Sequence, residues 1–349
     1  MDAKVLFAVL NWGLGHATRS VPVIKSILNY GAELELATTG IAAAFLKNEF
    51  PNLIVHHLED KEVIYSSKGA KTALFKRAFQ QEAINISQQR EIRRLCAEND
   101  ITHIVSDNVY GAYDPNLKNA LITHQLSLKT PFGSGMVNRR LANWINKFSE
   151  VWIPDDPEFK LAGRLAQNPR VNVPRHHLGI LSRIPEPKSA SVSKYKIGVL
   201  LGGPEPQRSI LEERVLDALN DVEGKKVIFR GSKDSQLERT DWKIYNFGTA
   251  EEMGEIIQAC ELVISRSGYS SVMDLMGRAK SILLVPTPGQ TEQEYLAEHL
   301  TRFPNVLRCN QENLDSSIIE KALQSKEDSL EKPTRFDDDG EIVRRFLRA

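Results

Sequence analysis

The sequence predicts an α/β protein made of two tandem Rossmann-like, doubly wound domains with a cleft between them. Three observations predict it. The chain has 349 residues, more than a single core usually organises. Short β-rich apolar runs alternate with helical stretches, the pattern of βαβ units and a parallel sheet. The two halves also open alike: Lys4 to Leu10 leads into a turn at Gly13, and Lys196 to Leu201 leads into Gly202 and Gly203. Tandem sheets of this kind turn their carboxyl ends toward a shared cleft, where ligands bind.

In the first half the expected strands are Lys4 to Leu10, Glu33 to Thr38, Leu53 to His57, Thr102 to Ser106, Ala120 to Thr123 and Glu150 to Ile153. Helices are expected over Thr18 to Tyr30, Ile41 to Phe50, Lys71 to Glu98 and Val137 to Phe148, with Gly31 and Asn99 as stop signals. Between about Pro154 and Ser193 prolines crowd and periodic runs are few, so the domain joint is placed there. The second series has strands at Lys196 to Leu201, Lys226 to Arg230, Leu262 to Ser265, Ser281 to Val285 and Asn305 to Arg308. This gives an N-terminal domain over 1–185, a C-terminal domain over 194–331, and a tail over 332–349. In the tail, Glu341 to Leu347 has the pattern of a short amphipathic helix.

Composition removes several classes of function. Basic and acidic residues number 45 each, which argues against a dedicated nucleic-acid binder, and 41% hydrophobic with 26% charged residues is ordinary globular usage. Cys96, Cys260 and Cys309 are too far apart for a disulfide framework or a Cys-x-x-Cys metal site, so a reducing cytoplasm fits. Met1 to Leu10 reads as a first strand and not as a signal peptide, and no apolar run reaches the length of a membrane span.

The chemistry concentrates where strands turn into helices. Asn11-Trp12-Gly13-Leu14-Gly15-His16-Ala17-Thr18-Arg19 follows the first strand, and Gly13 and Gly15 let the backbone turn tightly and approach a ligand. A dinucleotide fingerprint would place a third glycine near Thr18 and an acid near Thr39; both are absent, so NAD or FAD is disfavoured. His16 would sit at a helix N-terminus, where the positive dipole end disfavours imidazolium and keeps a neutral base. A cap or a packed surface histidine is the plainer alternative. Ser106-Asp107-Asn108-Val109-Tyr110-Gly111 also ends a strand. Asp107 there either orients His16, acts as the base, or closes an Asx-turn. Thr123-His124-Gln125 ends another strand, and His124 and Gln125, with Gly13, Asn108 and Tyr110, are candidates for an acceptor pocket.

In the second half Ser265-Arg266-Ser267-Gly268-Tyr269-Ser270-Ser271 runs from a strand through a small-residue turn into a helix, offering N–H groups and hydroxyls suited to a diphosphate. Asp274 lies about one turn further on and can accept both hydroxyls of a ribose, or simply complement the helix dipole. Pro286 to Glu294 is a rigid loop opening another helix, with Gln293 and Glu294 facing a sugar's hydroxyls. Gly202-Gly203 continues as Pro204-Glu205-Pro206, and two prolines remove N–H donors, which makes it the weaker phosphate turn.

On these motifs the chain resembles the GT-B glycosyltransferases of family 28, the MurG-type transferases of peptidoglycan synthesis. The resemblance is most specific from Val263 to Ala297 and rests on Gly13 to Arg19 in the first half. It implies a metal-independent, inverting transfer of a sugar, of the N-acetylhexosamine class, from a UDP-sugar to a lipid-linked, glycan or small-molecule acceptor. No cofactor is implied beyond the donor substrate. Donor residues would be Gly15, Arg183, Gly202, Gly203, Met253, Ser265, Arg266, Ser267, Gly268, Tyr269, Ser270, Ser271, Asp274, Gln293 and Glu294. Arg183, in Leu181-Ser182-Arg183, would clamp the diphosphate. His16 would line the acceptor side, with the tail helix crossing back to the first domain. Where the family has two glutamines and an asparagine, this chain has Gln293, Glu294 and Ala297, which leaves the donor sugar open. A nucleotide-sugar hydrolase and a non-catalytic nucleotide-sugar binder on the same scaffold are the alternatives.

His56-His57 and His176-His177 are not read as metal sites, because strand neighbours point to opposite faces. The acidic runs Asp155-Asp156 and Asp337 to Asp339 lie outside the donor motifs. Between Tyr65 and Gln81, Lys68, Lys71, Lys76 and Arg77 interleave with Leu74, Phe75 and Phe79. A solvated helix face is the favoured reading; peripheral contact with lipid at the inner membrane face is the other.

Overall fold

The computed structural model describes residues 3–58, 70–129, 133–158, 160–185, 193–232, 239–325, 332–336 and 340–348, with backbone alone over 70–80. The chain divides into two compact units, Met1–Leu181 with Thr334–Ala349, and Ser182–Pro333. The break falls at Leu181/Ser182, so residues 182–185 go with the second unit. Residues 65–69, the side chains of 70–80 and Asp337 to Asp339 lie outside the described residues, and with them most of the basic amphipathic stretch.

The first unit carries a seven-stranded parallel sheet: β1 (Lys4–Val9), β2 (Glu33–Thr38), β3 (Ile54–His57), β4 (His103–Asp107), β5 (Lys118–Ile122), β6 (Glu150–Ile153) and β7 (Arg175–His177), in the order β3-β2-β1-β4-β5-β6-β7. Its helices are α1 (Gly15–Asn29), α2 (Gly40–Glu49), α3 (Ala70–Glu98) and α4 (Ser134–Ile145). Central strands of a parallel sheet are covered on both faces and read as continuous apolar runs. In β1 every residue after Lys4 is buried accordingly. One core layer joins Leu6, Ala8, Ile104 and Val109 to Ile92 and Leu95 of α3.

The second unit has β8 (Tyr195–Leu200), β9 (Lys226–Phe229), β10 (Trp242–Tyr245), β11 (Cys260–Ser265), β12 (Ile282–Leu284) and β13 (Val306–Arg308), ordered β10-β9-β8-β11-β12-β13. Between the strands lie α5 (Gln207–Ala218), α6 (Ala250–Ala259), α7 (Tyr269–Leu275), α8 (Thr291–Leu300) and α9 (Ser316–Gln324). Strand order reverses between β1 and β4 in one sheet and between β8 and β11 in the other, and ligands favour the carboxyl edge at such a switch point.

Two strands escaped the sequence. β7 and β10 are edge strands; β7 is Arg-His-His and half-buried only at its centre, and β10 is Trp-Lys-Ile-Tyr with Trp242 alone buried, so neither shows a buried apolar run. Helix α4 begins three residues before the expected Val137, because Gly133 takes φ +70° and lets the chain turn into it.

The chain returns to the first unit near its end. Ile180 N–H donates to Thr334 O at 2.9 Å and Phe336 N–H to Ile180 O at 3.0 Å, and Asp156 accepts from Thr334 N–H at 2.6 Å. Helix α10 (Glu341–Arg348) then buries Val343, Phe346 and Leu347. The Phe346 ring stands edge-on to Trp152 at 5.1 Å and to His103 at 5.2 Å, while Arg345 reaches Glu150 at 3.3 Å. Phe346→Leu keeps an apolar side chain but removes both ring contacts. It is expected to destabilise the first unit by about 1–3 kcal/mol in denaturant titration.

Candidate functional site

In the first unit the switch point lies between the loops after β1 and β4. Gly13 adopts φ +69°, and Leu14 O accepts from Thr18 N–H at 2.8 Å to start α1. That places His16 in the first turn. Its Nδ1 lies 2.8 Å from Asp107 Oδ1. Asp107 ends β4 with no exposed surface and gathers donors from one face of α1. Arg19 Nε donates to Oδ2 at 2.8 Å, Arg19 Nη2 donates to Oδ1, and Ser20 Oγ lies 3.0 Å from Oδ2. Residues 16, 19 and 20 meet one acceptor because i, i+3 and i+4 share a helix face.

Burial alone would raise the Asp107 pKa, but the Arg19 charge, then His16, outweigh it and hold the carboxyl well below the usual range. Asp107 therefore stays ionised, and Arg19 balances its charge. A neutral imidazole leaves the cluster without net charge. The carboxylate accepts from Nδ1–H, and that tautomer makes Nε2 the basic nitrogen. With its carboxylate oxygens engaged by α1 and no exposed surface, Asp107 is held against His16, the geometry of an orienting residue.

His124 requires a correction. It is 4% exposed, and its Nδ1 sits 3.4 Å from Arg19 Nη1, so it backs the Arg19 side chain and does not line an open pocket. Asn108 holds φ +61° after β4, a conformation asparagine tolerates, and accepts from Tyr110 Oη at 3.3 Å. Gln125 is half-buried in the loop after β5, its N–H donating to Thr123 Oγ1 at 3.1 Å. Trp12 and Leu14, in the loop that leads into α1 and His16, are exposed, Trp12 at 58%. Arg19 and Ser20 were missed as site residues. The available signal was an arginine three residues from a histidine on a helix whose other buried residues are alanine, serine, valine and isoleucine.

In the second unit the segment from Ser265 to Asp274 separates into residues that build the turn and residues left near its surface. Arg266 is a correction. It is 3% exposed, and its guanidinium donates to Val285 O, Pro286 O, Gln207 O and Gln311 Oε1 at 3.2, 3.1, 2.6 and 2.6 Å. Burial draws its pKa down to about 10. Its side chain therefore staples the starts of neighbouring loops and is not aimed at a diphosphate. Tyr269, at 3% exposure, belongs to the core, and Ser265 is the buried end of β11. Ser267 Oγ donates to Gln293 O at 2.8 Å, tying this turn to α8. Gly268, Ser270, Ser271 and Asp274 remain half-buried at the surface of the turn.

Gln293 and Glu294 organise their own loop. Gln293 Oε1 accepts from Thr287 N–H at 2.9 Å and its Nε2 donates to Gln290 Oε1 at 2.7 Å; Glu294 Oε1 accepts from Gly289 N–H at 2.9 Å. Gly202 and Gly203 border open space, Gly203 at φ +102°. The following Glu205 is held by Arg208 Nε and Ser209 N–H at 2.5 and 3.2 Å. Met253 follows a capping box between Thr249 and Glu252 at the start of α6, and Arg183 is half-buried beside Ser182. Phe247, 54% exposed after β10, is an aromatic at this edge that the motif reading passed over. Among the described residues, no group of three or more His, Cys, Asp or Glu is placed to hold a metal ion.

Comparison with known proteins follows this geometry. Residues 199–339 match the glycosyltransferase family 28 C-terminal domain. The UDP-N-acetylglucosamine–N-acetylmuramyl-(pentapeptide) pyrophosphoryl-undecaprenol N-acetylglucosamine transferase of Prochlorococcus marinus strain NATL1A is 27% identical over 108 residues, 30% of each chain. Its counterpart in strain AS9601 is 35% identical over 75 residues, 21% of each. The chain thus spans under a third of the curated relatives it matches. Among solved structures, the glycosyltransferase SnogD from Streptomyces nogalater superposes with TM-score 0.66 at 14% identity, covering 99% of this chain and 95% of its own. The calicheamicin glycosyltransferase CalG4 gives 0.67 at 14%, covering 99% and 94%. MurG of Acinetobacter baumannii gives 0.59 at 12%, covering both chains fully at 100%. The chain thus has the two-domain GT-B fold, and its residues 199–339 belong to the glycosyltransferase family 28 C-terminal domain.

Proposed function

We propose that this protein is a metal-independent, inverting glycosyltransferase that moves a sugar from a UDP-sugar to a hydroxyl of a lipid-linked, glycan or small-molecule acceptor. The observation that carries the proposal is the 2.8 Å contact between His16 and Asp107 at the carboxyl edge of a doubly wound sheet. His16 Nε2 takes the proton of the acceptor hydroxyl, the freed oxygen attacks the anomeric carbon, and the nucleoside diphosphate leaves with the electron pair of the broken bond. Asp107 holds the imidazole's tautomer and stabilises the imidazolium that forms. Trp12, exposed in the loop that leads to His16, suits an acceptor with an apolar or sugar face.

The donor is assigned to the second unit, with Asp274 receiving the ribose hydroxyls and the half-buried Ser270 and Ser271 beside the diphosphate. Gln293 and Glu294 turn to the donor sugar, exchanging the loop N–H groups they accept from for sugar hydroxyls. A uridine nucleotide is the expected ligand. The spinosyn rhamnosyltransferase SpnG was solved with thymidine diphosphate, so the competing nucleotide is a deoxyribonucleotide.

Saturating UDP, at about a hundred times its Kd, is expected to stabilise the protein by roughly 2.7 kcal/mol. Asp274→Ala should remove most of that shift in a thermal melt. A variant with wild-type UDP affinity would show that the ribose is held elsewhere. Turnover is checked by product analysis across a panel of UDP-sugars with lipid-linked, glycan and small-molecule acceptors.

A further inference from the structure

Asp274 does not stand alone on α7. Ser182, 9% exposed, directs its Oγ at Asp274 Oδ1 across 2.5 Å. The same oxygen receives Ile184 N–H at 3.2 Å and lies 3.4 Å from Arg278 Nη1. A serine hydroxyl has one proton and two lone pairs. Both nitrogens can only donate, so the proton of Ser182 is committed to the carboxylate.

The segment bearing Ser182 is itself held. Arg278, 5% exposed, donates through Nη2 to Ile184 O at 2.5 Å and through Nη1 to Asp274 O at 3.2 Å, so one guanidinium joins segment and helix. A Cβ added at Gly254 of α6 would come within 2.7 Å of Ile184 Cγ2, which leaves the segment no slack on that side. The terminal torsion of an aspartate is broad and poorly fixed by rotamer preference. A charge-assisted hydrogen bond from a fixed hydroxyl removes that freedom. An ionised carboxylate offers about four acceptor positions, and the Ser182 hydroxyl takes one of them on Oδ1.

We propose that Ser182 is a positioning residue that locks the Asp274 carboxylate for a vicinal diol and so makes the donor site select ribonucleotides over 2′-deoxyribonucleotides. This rests on the reading of Asp274 as the ribose carboxylate. A site built to pair both hydroxyls discriminates strongly against a ligand lacking one, because its fixed acceptor is then left unsatisfied. Without Ser182 the carboxylate is no longer held for the second hydroxyl, so UDP loses that contact and the discrimination shrinks.

The test is calorimetric titration of the full chain with UDP and with 2′-deoxyuridine diphosphate, which share base and diphosphate. The wild type is expected to favour UDP by at least about tenfold. Ser182→Ala should lower that ratio by roughly 3- to 10-fold through weaker UDP binding, with deoxy-UDP affinity unchanged, and Ser182→Thr should restore it. Equal weakening of both nucleotides overturns the proposal, since a merely structural residue would act that way. An unchanged ratio in Ser182→Ala also overturns it, provided Asp274→Ala collapses the ratio. If Asp274→Ala leaves the ratio intact as well, the ribose reading itself has failed. Should Ser182→Ala not fold, Ser182→Cys preserves the volume with a weaker donor and is judged by the same ratio.

Discussion

His16→Ala is expected to lower turnover by about two to four orders of magnitude, the usual contribution of a general base, while nucleotide affinity stays within a few fold. The split follows from where the residue sits. His16 belongs to the first unit, whereas the residues assigned to the nucleotide, Ser270, Ser271 and Asp274, belong to the second. Its Nδ1 is anchored to Asp107 at 2.8 Å, so the ring is held in one tautomer and orientation before any acceptor arrives. Steady-state kinetics with saturating donor and UDP titration of the same preparation give the two numbers. Near-normal turnover in the variant would remove His16 from the proton transfer. A loss of UDP affinity matching the loss of rate would reassign it to donor binding.

The fold was legible in the sequence wherever burial on both sheet faces forced a continuous apolar run. Strands β2 and β6 fall on the expected residues, and the other central strands lie within two residues of theirs. Edge strands β7 and β10 lacked that signal because β7 has no apolar residue and β10 buries only Trp242. The site was legible as residue types at strand ends and illegible as side-chain directions. That His16 would approach Asp107 was readable because one follows β1, the other ends β4, and these paired parallel strands end at the same edge. Arg266 sits in as good a motif position, yet its guanidinium turns inward to four oxygens, a choice made by acceptors distant in sequence. Arg19 shows the converse. An arginine on the buried face of a helix needs a countercharge, but nothing local says that Asp107, 88 positions away, supplies it. Ser182 was quoted only as the neighbour of Arg183, and its role depends on Asp274, 92 positions on.

Asp107→Ala is expected to destabilise the first unit by roughly 3–5 kcal/mol, because it removes the countercharge of an arginine that stays buried at 2% exposure. Asp107→Asn removes the same charge but keeps the shape and one acceptor oxygen, so the catalytic role is read from that variant at a temperature where it is still fully folded. Asp107 has a folded-state pKa below its ordinary value of 3.8. Its stabilisation is therefore present above that ordinary value and is lost as pH falls through the lower folded one. The stability gap between wild type and Asp107→Asn, measured by denaturant titration, should be present above about pH 4 and should close in stronger acid. In turnover, Asp107→Asn should be no worse than His16→Ala, and the double variant little worse than His16→Ala alone, because residues acting as one unit are not additive. Additive losses, or an Asp107→Asn enzyme slower than His16→Ala, would mean that the carboxylate acts on the substrate independently of the imidazole. The geometry argues against that outcome. Among the described residues, the donors on the Asp107 carboxylate oxygens come from α1, from His16, Arg19 and Ser20, and none of its surface is exposed.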